Sequence, residues 1–365
     1  MARGVKIPVG SSEVNASDLK GLQRAWRSRR LVLFLGAGVS FDYGIPGWYD
    51  LVLALLFRQA GSAARLRRYL PHYRRALTDW LVDTFDYDPV VLARVIRNDI
   101  RRRSRRAGGD PGAAQQRFLD MVRQQLYAGL RRPKGPTTLG AVADLVQATT
   151  RSHGLAAVVT FNFDDLLERE LARRGDTLTV EPQPVWEARR ISDRVFPIVH
   201  PHGFLPRGDV PGSREIVFTE EDYHQLTRTV FHWALTEIVG YLRHHHVLFV
   251  GLSMSDPNLR RLVDASYVVG DIPCHWQVQR SHRIPDSALP QAVEEIQRRA
   301  QGYGRELDEA FVKGQAEVGQ ALRATLRQAD TYDRELFESM GVKTIWLEEY
   351  ADLPGLLARV TGAGP

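Results

Sequence analysis

The stretch LVLFLGAGVSFDYGIPGW, Leu31–Trp48, decides the fold. Five consecutive apolar residues are followed directly by a glycine-rich segment that contains Gly36 and Gly38. An apolar run of this length, bounded by turn residues, is typical of a strand that is buried on both faces of a sheet. Such strands occur in parallel sheets covered by helices, where a Gly-x-Gly turn lets the backbone approach a ligand closely.

Further apolar runs of strand length alternate with segments of helical length along the chain. The strand-like runs are LAAVVTFN, VLFVG, CHWQVQ and VKTIWL, with shorter extended runs LTVEP, FPIVH and IVFT. Helices are predicted over Trp48–Gln59, Thr137–Thr149, Asp165–Arg174 and Leu353–Val360, and one long amphipathic helix over DYHQLTRTVFHWALTEIVGYLRH. This alternation predicts an α/β fold, a Rossmann-like parallel sheet flanked by helices, with helical insertions.

Composition divides the chain into a core and three further segments. We predict an N-terminal arm and helix at 1–30, a basic helical insertion at 61–136 and a helical insertion at 283–340; the core comprises 31–60, 137–282 and 341–365. Residues 61–134 hold 16 arginines and one lysine against seven aspartates, a net charge of +10. Arg101–Gly112 is predicted to be an exposed loop. The charge fits either nucleic-acid binding through Arg101–Arg106 or the solvated surface of helices.

The chain contains a single cysteine, Cys274, in an apolar and aromatic stretch. One cysteine cannot form an internal disulfide or a zinc site with several thiolates, so Cys274 is expected to be a small buried hydrophobe. No apolar run approaches the roughly 20 residues that cross a bilayer, and the N-terminus lacks the apolar region of a secretory signal. We therefore expect a cytoplasmic location without membrane contact.

Two motifs follow predicted strands, where the carboxyl ends of parallel strands face a ligand crevice. In VVTFNFDDLLE, Val158–Glu168, Asn162 and Asp164 are candidate site residues, although Asn162 and Asp165 taken alone are explained as turn and helix-capping residues. IVHPHGF, Ile198–Phe204, places two histidines beside a glycine. Either histidine could act as a base near neutral pH, or each could be structural.

A third such motif, VLFVGLSMSDPNLRRLV, contains Gly251 and Ser253. Its amides and hydroxyls could hold ribose or phosphate, while Ser255 or Asp256 could equally cap the helix that Pro257 begins. The GxGxxG fingerprint of dehydrogenases is absent, because position 41 is Phe41. No HExxH or spaced Cys/His pattern predicts a zinc site.

Taken in order, GAGVS with GIP, T-x-N-x-D, HG and G-x-S resemble the NAD⁺-binding core of the sirtuins. The longer forms FNFDDLLE and GLSMSDPNLRRL resemble the bacterial sirtuin-like branch more than the histone deacylases. The resemblance covers about residues 31–50, 155–282 and 341–360 and leaves out the helical insertions.

The resemblance implies a set of site residues. In the first loop the residues implied to bind NAD⁺ are Gly36, Ala37, Gly38, Ser40, Pro46 and Trp48. Asn162 and Asp164 would flank the nicotinamide ribose and its amide, and His202 would be the general base. Gly251 and Ser253 would contact the adenosine side.

Two departures from the sirtuin deacylases bear on the chemistry. A chain with one cysteine cannot form their four-cysteine zinc ribbon, and Phe161 stands where they have glutamine. The resemblance therefore implies hydrolysis of NAD⁺ to ADP-ribose and nicotinamide, with NAD⁺ as substrate and no metal. The alternatives are deacylation or ADP-ribosylation of a protein, and a non-enzymatic sensor of NAD⁺ or ADP-ribose.

The zinc-free branch resembles NADase effectors of bacterial antiphage defence, often paired with a HerA-type ATPase, an Argonaute-like protein or a nucleotide sensor. Because NAD⁺ depletion is toxic to the host, we expect a homo-oligomer or partner complex that gates the site, with the insertions as contact surfaces. Nucleic-acid binding by the basic insertion would weaken steeply with salt.

Overall fold

The computed structural model describes residues 14–59, 61, 89–175, 179–184, 195–208, 216–228, 232–254, 256–267, 275–282, 287–302 and 315–362. The predictions for Cys274, Ser255, residues 1–13 and the part of the basic insertion at 62–88 lie outside these ranges.

The described strands form one parallel sheet. They are β1 (Leu31–Leu35), β2 (Leu155–Thr160), β3 (Thr179–Pro184), β4 (Val195–His200), β5 (His246–Val250), β6 (His275–Arg280) and β7 (Val342–Leu347). Their order across the sheet is β3-β4-β2-β1-β5-β6-β7. The predicted run IVFT contributes only an isolated antiparallel bridge between Ile216 and Gly203. The predicted Rossmann-like α/β fold is confirmed.

Helices connect these strands and cover the sheet. They are α1 (Ala16–Arg27), α2 (Trp48–Gln59), α3 (Pro89–Arg106), α4 (Pro111–Leu126), α5 (Thr138–Gln147), α6 (Leu166–Arg174), α7 (Glu220–Arg228), α8 (Trp233–His244), α9 (Pro257–Ser266), α10 (Leu289–Gly302), α11 (Gln315–Ser339) and α12 (Leu353–Val360). Within the described residues, no helix is both long and apolar enough to span a membrane.

Strand β1 is buried on both faces of the sheet, as its apolar run predicts. Leu31, Leu33 and Leu35 belong to the core on one face, and Val32 and Phe34 belong to the core on the other. Successive side chains of a strand point to opposite faces, so a strand between two helical layers needs an apolar residue at every position.

Two predictions of secondary structure, one of a loop and one of a helix, are wrong. Arg101–Arg106 form the last turns of α3 and not an exposed loop, because arginine is a good helix former and the break comes only at Gly108, where φ is +70°. The long helix predicted from Asp222 is divided into α7 and α8. His232 caps the second of these helices, since its Nδ1 accepts a hydrogen bond from Ala234 N at 3.3 Å.

The strand order reverses at β1, which brings the loops after β1, β2 and β5 together at one edge of the sheet. Strand β2 lies on one side of β1 and β5 on the other, and Leu35 is in register with both Thr160 and Val250. The carboxyl ends of these strands therefore reach the same level. Ligand sites of open α/β sheets lie at such a topological switch point, outside the carboxyl ends of the strands.

The basic insertion is bound to the core partly by its arginines. Helices α3 and α4 pack against α2, and α3 also packs against α7. Side chains on one face of α3 pair with the acidic first turn of α7: Arg94 with Glu220 at 2.7 Å, Arg97 with Asp222 at 2.6 Å, and Arg101 with Glu221 at 3.2 Å. Part of the basic charge is thus used inside the molecule, and nucleic-acid contact through Arg101–Arg106 stays a prediction.

Replacing Arg97 by alanine should destabilise the fold by about 3–5 kcal/mol, the usual cost of removing one partner of a buried ion pair. The Arg97 side chain is 3% exposed and its removal leaves the Asp222 carboxylate, 11% exposed, without its cation. Arg102, 65% exposed and paired with Asp99, is the matched control, for which we expect a loss below about 1 kcal/mol. Denaturant-induced unfolding measures both variants; equal losses would show that Arg97 has no special role in anchoring α7.

Candidate active site

The loops after β1 and β5 lie against each other, backbone to backbone. Gly38 N–H donates to Gly251 O at 3.0 Å, and a Cβ on Gly36 would lie 2.6 Å from the same oxygen. Gly251 has φ +64°, and a Cβ there would lie 2.7 Å from Val39 N. These glycines are therefore needed for the contact between the loops. The predicted contact of Gly36, Gly38 and Gly251 with NAD⁺ stays a prediction.

A 3₁₀ helix over Ala37–Tyr43 follows β1 and turns Ser40 into the protein. Ser40 is completely buried, whereas Ala37 is half-buried at the start of this helix. The helix ends at Gly44, where φ is +80° and a Cβ would lie 2.1 Å from Gly129 O. The loop after β1 therefore rests on the chain that follows α4, in the basic insertion.

Asn162 follows β2 and is held by its side-chain amide. Its Nδ2 donates to Gly36 O at 3.1 Å and to Ser40 Oγ at 3.2 Å. The orientation of the amide follows from the Gly36 carbonyl, which can only accept a hydrogen bond. Since both amide hydrogens are engaged, Oδ1 is the atom of Asn162 that is suited to accept a hydrogen bond from a ligand hydroxyl. The structure thus brings together three of the predicted site residues.

Asp164 holds Ser40 in this arrangement through a hydrogen bond. Its Oδ2 accepts from Ser40 Oγ at 3.0 Å and its Oδ1 accepts from Leu166 N at 3.1 Å. Burial raises the pKa of Asp164 to about 6; the charge of Glu168 adds to the rise, and the hydrogen bonds from Leu166 N and Ser40 oppose it. Because both oxygens hold internal partners, Asp164 serves here to fix Ser40, and its predicted contact with the nicotinamide amide stays a prediction.

The raised pKa of Asp164 predicts a pH-dependent stability. Ionisation of the Asp164 carboxyl, which is 5% exposed, costs free energy in the folded state. The contribution of the neutral carboxyl to the free energy of unfolding is therefore largest below the usual aspartate pKa of 3.8 and is lost as the pH rises through about 6. A pKa difference of this size corresponds to about 3 kcal/mol. Relative to wild type, D164N should therefore gain about that much stability between pH 4 and pH 7. Urea unfolding at each pH measures the difference, and a difference that stays constant or falls would contradict this.

His202 lies in the loop after β4, between two aromatic rings. The rings of Phe161 and Tyr223 both contact the His202 imidazole edge-on, with distances between ring centres of 5.1 and 5.4 Å. Its Nε2 lies 3.5 Å from the Tyr223 hydroxyl and 4.0 Å from Asp256 Oδ2. Burial lowers the pKa of His202 below its usual 6.5, and the Asp256 carboxylate opposes that effect. A lowered pKa keeps the imidazole neutral at pH 7, as a general base requires.

Sequence reasoning missed the residues that surround His202. Phe161 is visible in the sequence only as a departure from the sirtuin deacylases, but its ring packs on His202 and, at 6.0 Å, on Phe34. Tyr223 comes from α7, and no local pattern connects it with His202. It directly follows Asp222, the residue that Arg97 binds, so α3 is connected to the site through α7.

His200, whose role the sequence leaves open, is completely buried at the end of β4. Its Nδ1 lies 3.2 Å from Asn162 O, its Nε2 lies 2.9 Å from Glu168 Oε1, and Phe204 packs on its ring at 4.7 Å. The two histidines of the HPHG motif therefore take different positions: His200 contacts the Asn162 backbone from inside the protein, and His202 is partly exposed and packs on Phe161.

The remaining predicted residues lie at the edges of this arrangement. Trp48 begins α2 and packs on Phe163 and Phe218, with ring centres 5.8 and 4.5 Å away. Pro46 is half-buried, and Ser253 is exposed in the loop after β5. Trp48 thus has a packing role, and contact of these three residues with NAD⁺ stays a prediction.

Residues 156–300 match the family model of the SIR2-like domain. The matched segment begins in β2 and ends in α10, so it contains Asn162, His202 and Gly251 and leaves out the loop Gly36–Trp48. A search of curated proteins finds no match for the chain. The SIR2-like match supports a sirtuin-like family and an NAD-related function.

The chemistry of this site fits NAD⁺. The amide oxygen of Asn162 is suited to a ribose hydroxyl, and the His202 imidazole, whose pKa is lowered by burial, packs on Phe161, the residue before Asn162. Across the ranges that the structure describes, no group of three or more His, Cys, Asp or Glu side chains is placed to hold a metal ion.

Proposed function

We propose that this protein hydrolyses the nicotinamide–ribose bond of NAD⁺ and releases ADP-ribose and nicotinamide. One observation carries the proposal: Asn162, with both amide hydrogens engaged, and His202, with a lowered pKa, follow the neighbouring strands β2 and β4 within the segment that matches the SIR2-like domain. The first presents an acceptor and the second a base.

The proposed reaction needs a positioned water and a proton acceptor. Asn162 Oδ1 accepts a hydrogen bond from a ribose hydroxyl or from the water, and so fixes the direction of attack on the anomeric carbon. The bonding electrons leave with the pyridine nitrogen, which is cationic in NAD⁺ and neutral in nicotinamide, so the leaving group needs no proton. His202 takes the proton that the reaction releases, from the water or from a ribose hydroxyl; such general-base help is worth about 10²–10⁴-fold in rate.

Product analysis tests the proposal against its alternatives. Purified protein, alone and with candidate activators, is incubated with NAD⁺, and free ADP-ribose and nicotinamide are quantified while mass spectrometry searches for modified protein. Equal amounts of free ADP-ribose and nicotinamide are expected. ADP-ribose attached to protein, or acyl-ADP-ribose from an acylated peptide, would instead establish a transferase or deacylase. Binding of NAD⁺ without turnover under every condition would establish a sensor.

We further propose that the enzyme is a gated effector of bacterial antiphage defence, acting as a homo-oligomer or with a partner such as a HerA-type ATPase. The contacts between the basic insertion and the site loops support gating. The Tyr127 hydroxyl, at the end of α4, lies 3.0 Å from Asp165 Oδ1 and from Leu205 O, in the loops after β2 and β4. Sizing and kinetics on the same sample test this, and a constitutively active monomer would contradict it.

A further inference from the structure

The proposed chemistry uses the side chain of Asn162, but a separate chain of hydrogen bonds, through His200 and Glu168, holds its backbone carbonyl. We propose that His200 and Glu168 are positioning residues that fix Asn162 through one shared buried proton, with His200 Nδ1–H donating to the Asn162 carbonyl. This inference rests on the proposed function insofar as Asn162 serves the reaction.

The contacts define two arms that end in carboxylates. The first runs from Asn162 Nδ2 to Ser40 Oγ and on to Asp164. The second runs from Asn162 O to His200 Nδ1, at 3.2 Å, and from His200 Nε2 to Glu168 Oε1, at 2.9 Å. One arm holds the amide and the other holds the peptide group of the same residue, so together they leave Asn162 little freedom to turn.

The number of available protons determines which atoms donate and which accept in the second arm. The Asn162 carbonyl can only accept, so Nδ1 of His200 carries a hydrogen. A hydrogen bond between Nε2 and Glu168 Oε1 then requires one more proton, on the imidazole or on the carboxyl. In either form the pair is neutral overall, which is the state that burial favours.

The other oxygen of Glu168 strengthens the assignment. Glu168 Oε2 is buried and has no hydrogen-bond partner among the described residues. Within the described residues Glu168 therefore has a single hydrogen-bond partner, His200 Nε2.

Two substitutions of His200 separate positioning from simple support. Asparagine places its amide nitrogen near the position of Nδ1 and can still donate to Asn162 O, whereas glutamine reaches the position of Nε2 and can still bind Glu168. If His200 positions Asn162, H200Q should lower kcat by about 10²-fold, the effect of a misplacement of about 1 Å, and H200N should lose several-fold less. KM should change little in both. If His200 only joins β4 to α6, the order of the two variants is reversed, and that result would overturn the proposal.

Controls distinguish this effect from loss of folding. His275 is a buried histidine at the opposite end of the sheet, where its Nδ1 accepts from Val247 N at 3.2 Å. H275Q should lower the melting temperature without lowering kcat. E168Q can donate to Nε2 and keep His200 as the Nδ1–H donor, so it should retain more activity than E168A. Equal losses in E168Q and E168A would also contradict the proposal.

A measurement independent of turnover keeps the inference separate from the proposed function. The chain contains four asparagines, so ¹⁵N-asparagine labelling gives few side-chain amide signals, and N162A identifies that of Asn162. H200Q should shift or broaden this signal, and H200N should preserve it. If wild type does not hydrolyse NAD⁺ but this pattern is seen, the proposed function fails and the positioning arm stands. If the Asn162 signal is the same in H200Q and wild type, the arm itself is wrong.

Discussion

N162A should lower kcat for NAD⁺ hydrolysis by about 10²-fold or more while leaving the fold intact, because orientation of the reacting groups is worth at least that much. The substitution removes the acceptor Oδ1 and also the donor to Gly36 O and Ser40 Oγ. The two former acceptors lie in the site, so a stability cost of about 1–3 kcal/mol is expected in addition.

The matched control for this variant is N98A. Asn98 is exposed on α3 and loses nothing comparable when truncated. Initial rates from nicotinamide release, with circular dichroism of each variant, give the comparison. An N162A protein that folds and turns over NAD⁺ like N98A would remove Asn162 from the mechanism and with it the main support for the proposed function.

The fold was predictable because its strands are buried on both faces. An uninterrupted apolar run such as Leu31–Leu35 indicates burial on both faces directly from the sequence. The bounds of α2, β7 and α12 agree with the prediction. The position of the site was predictable for the same reason, since candidate residues follow the carboxyl ends of strands. Which of them face the ligand could not be predicted, because Ser40 is turned inward by a 3₁₀ helix that has no clear signature.

The residues that were missed act over long sequence separations. Glu168 lies 32 positions from His200, and Arg97 lies 125 positions from Asp222. Only packing brings such partners together, so no local spacing can indicate them. The arginine run of α3 illustrates the same limit: its charge is visible in the sequence, but whether it binds nucleic acid or an acidic helix depends on which surface lies opposite.

The glycines show a related limit. A Gly-x-Gly turn after a strand indicates that something approaches the backbone closely. At Gly36 and Gly38 the structure identifies that neighbour as the loop after β5, around Gly251. The same backbone packing brings the loops of β1 and β5 to one edge of the site, so the glycines serve the site even before any ligand contact is considered.

H202A should lower kcat/KM for NAD⁺ by about 10²–10⁴-fold, the range for loss of a general base. The imidazole is held by ring contacts with Phe161 and Tyr223, and its Nε2 lies 3.5 Å from the Tyr223 hydroxyl and 4.0 Å from Asp256 Oδ2. Y223F is the matched control, since it keeps the aromatic edge and removes only a hydroxyl 3.5 Å from Nε2. We expect Y223F to lose far less activity than H202A; equal losses would mean that the hydroxyl, and not the imidazole, handles the proton.

The pH profile of D256N tests the role of His202 without removing it. The Asp256 carboxylate raises the pKa of His202 against the larger lowering effect of burial. Neutralising this carboxylate should therefore lower the pKa further, and since a base acts in its neutral form, the acid limb of kcat/KM should move to lower pH. Asparagine still caps α9 at this position, so the helix is retained. An acid limb that stays in place or moves to higher pH would show that the group titrating in the wild-type profile is not His202.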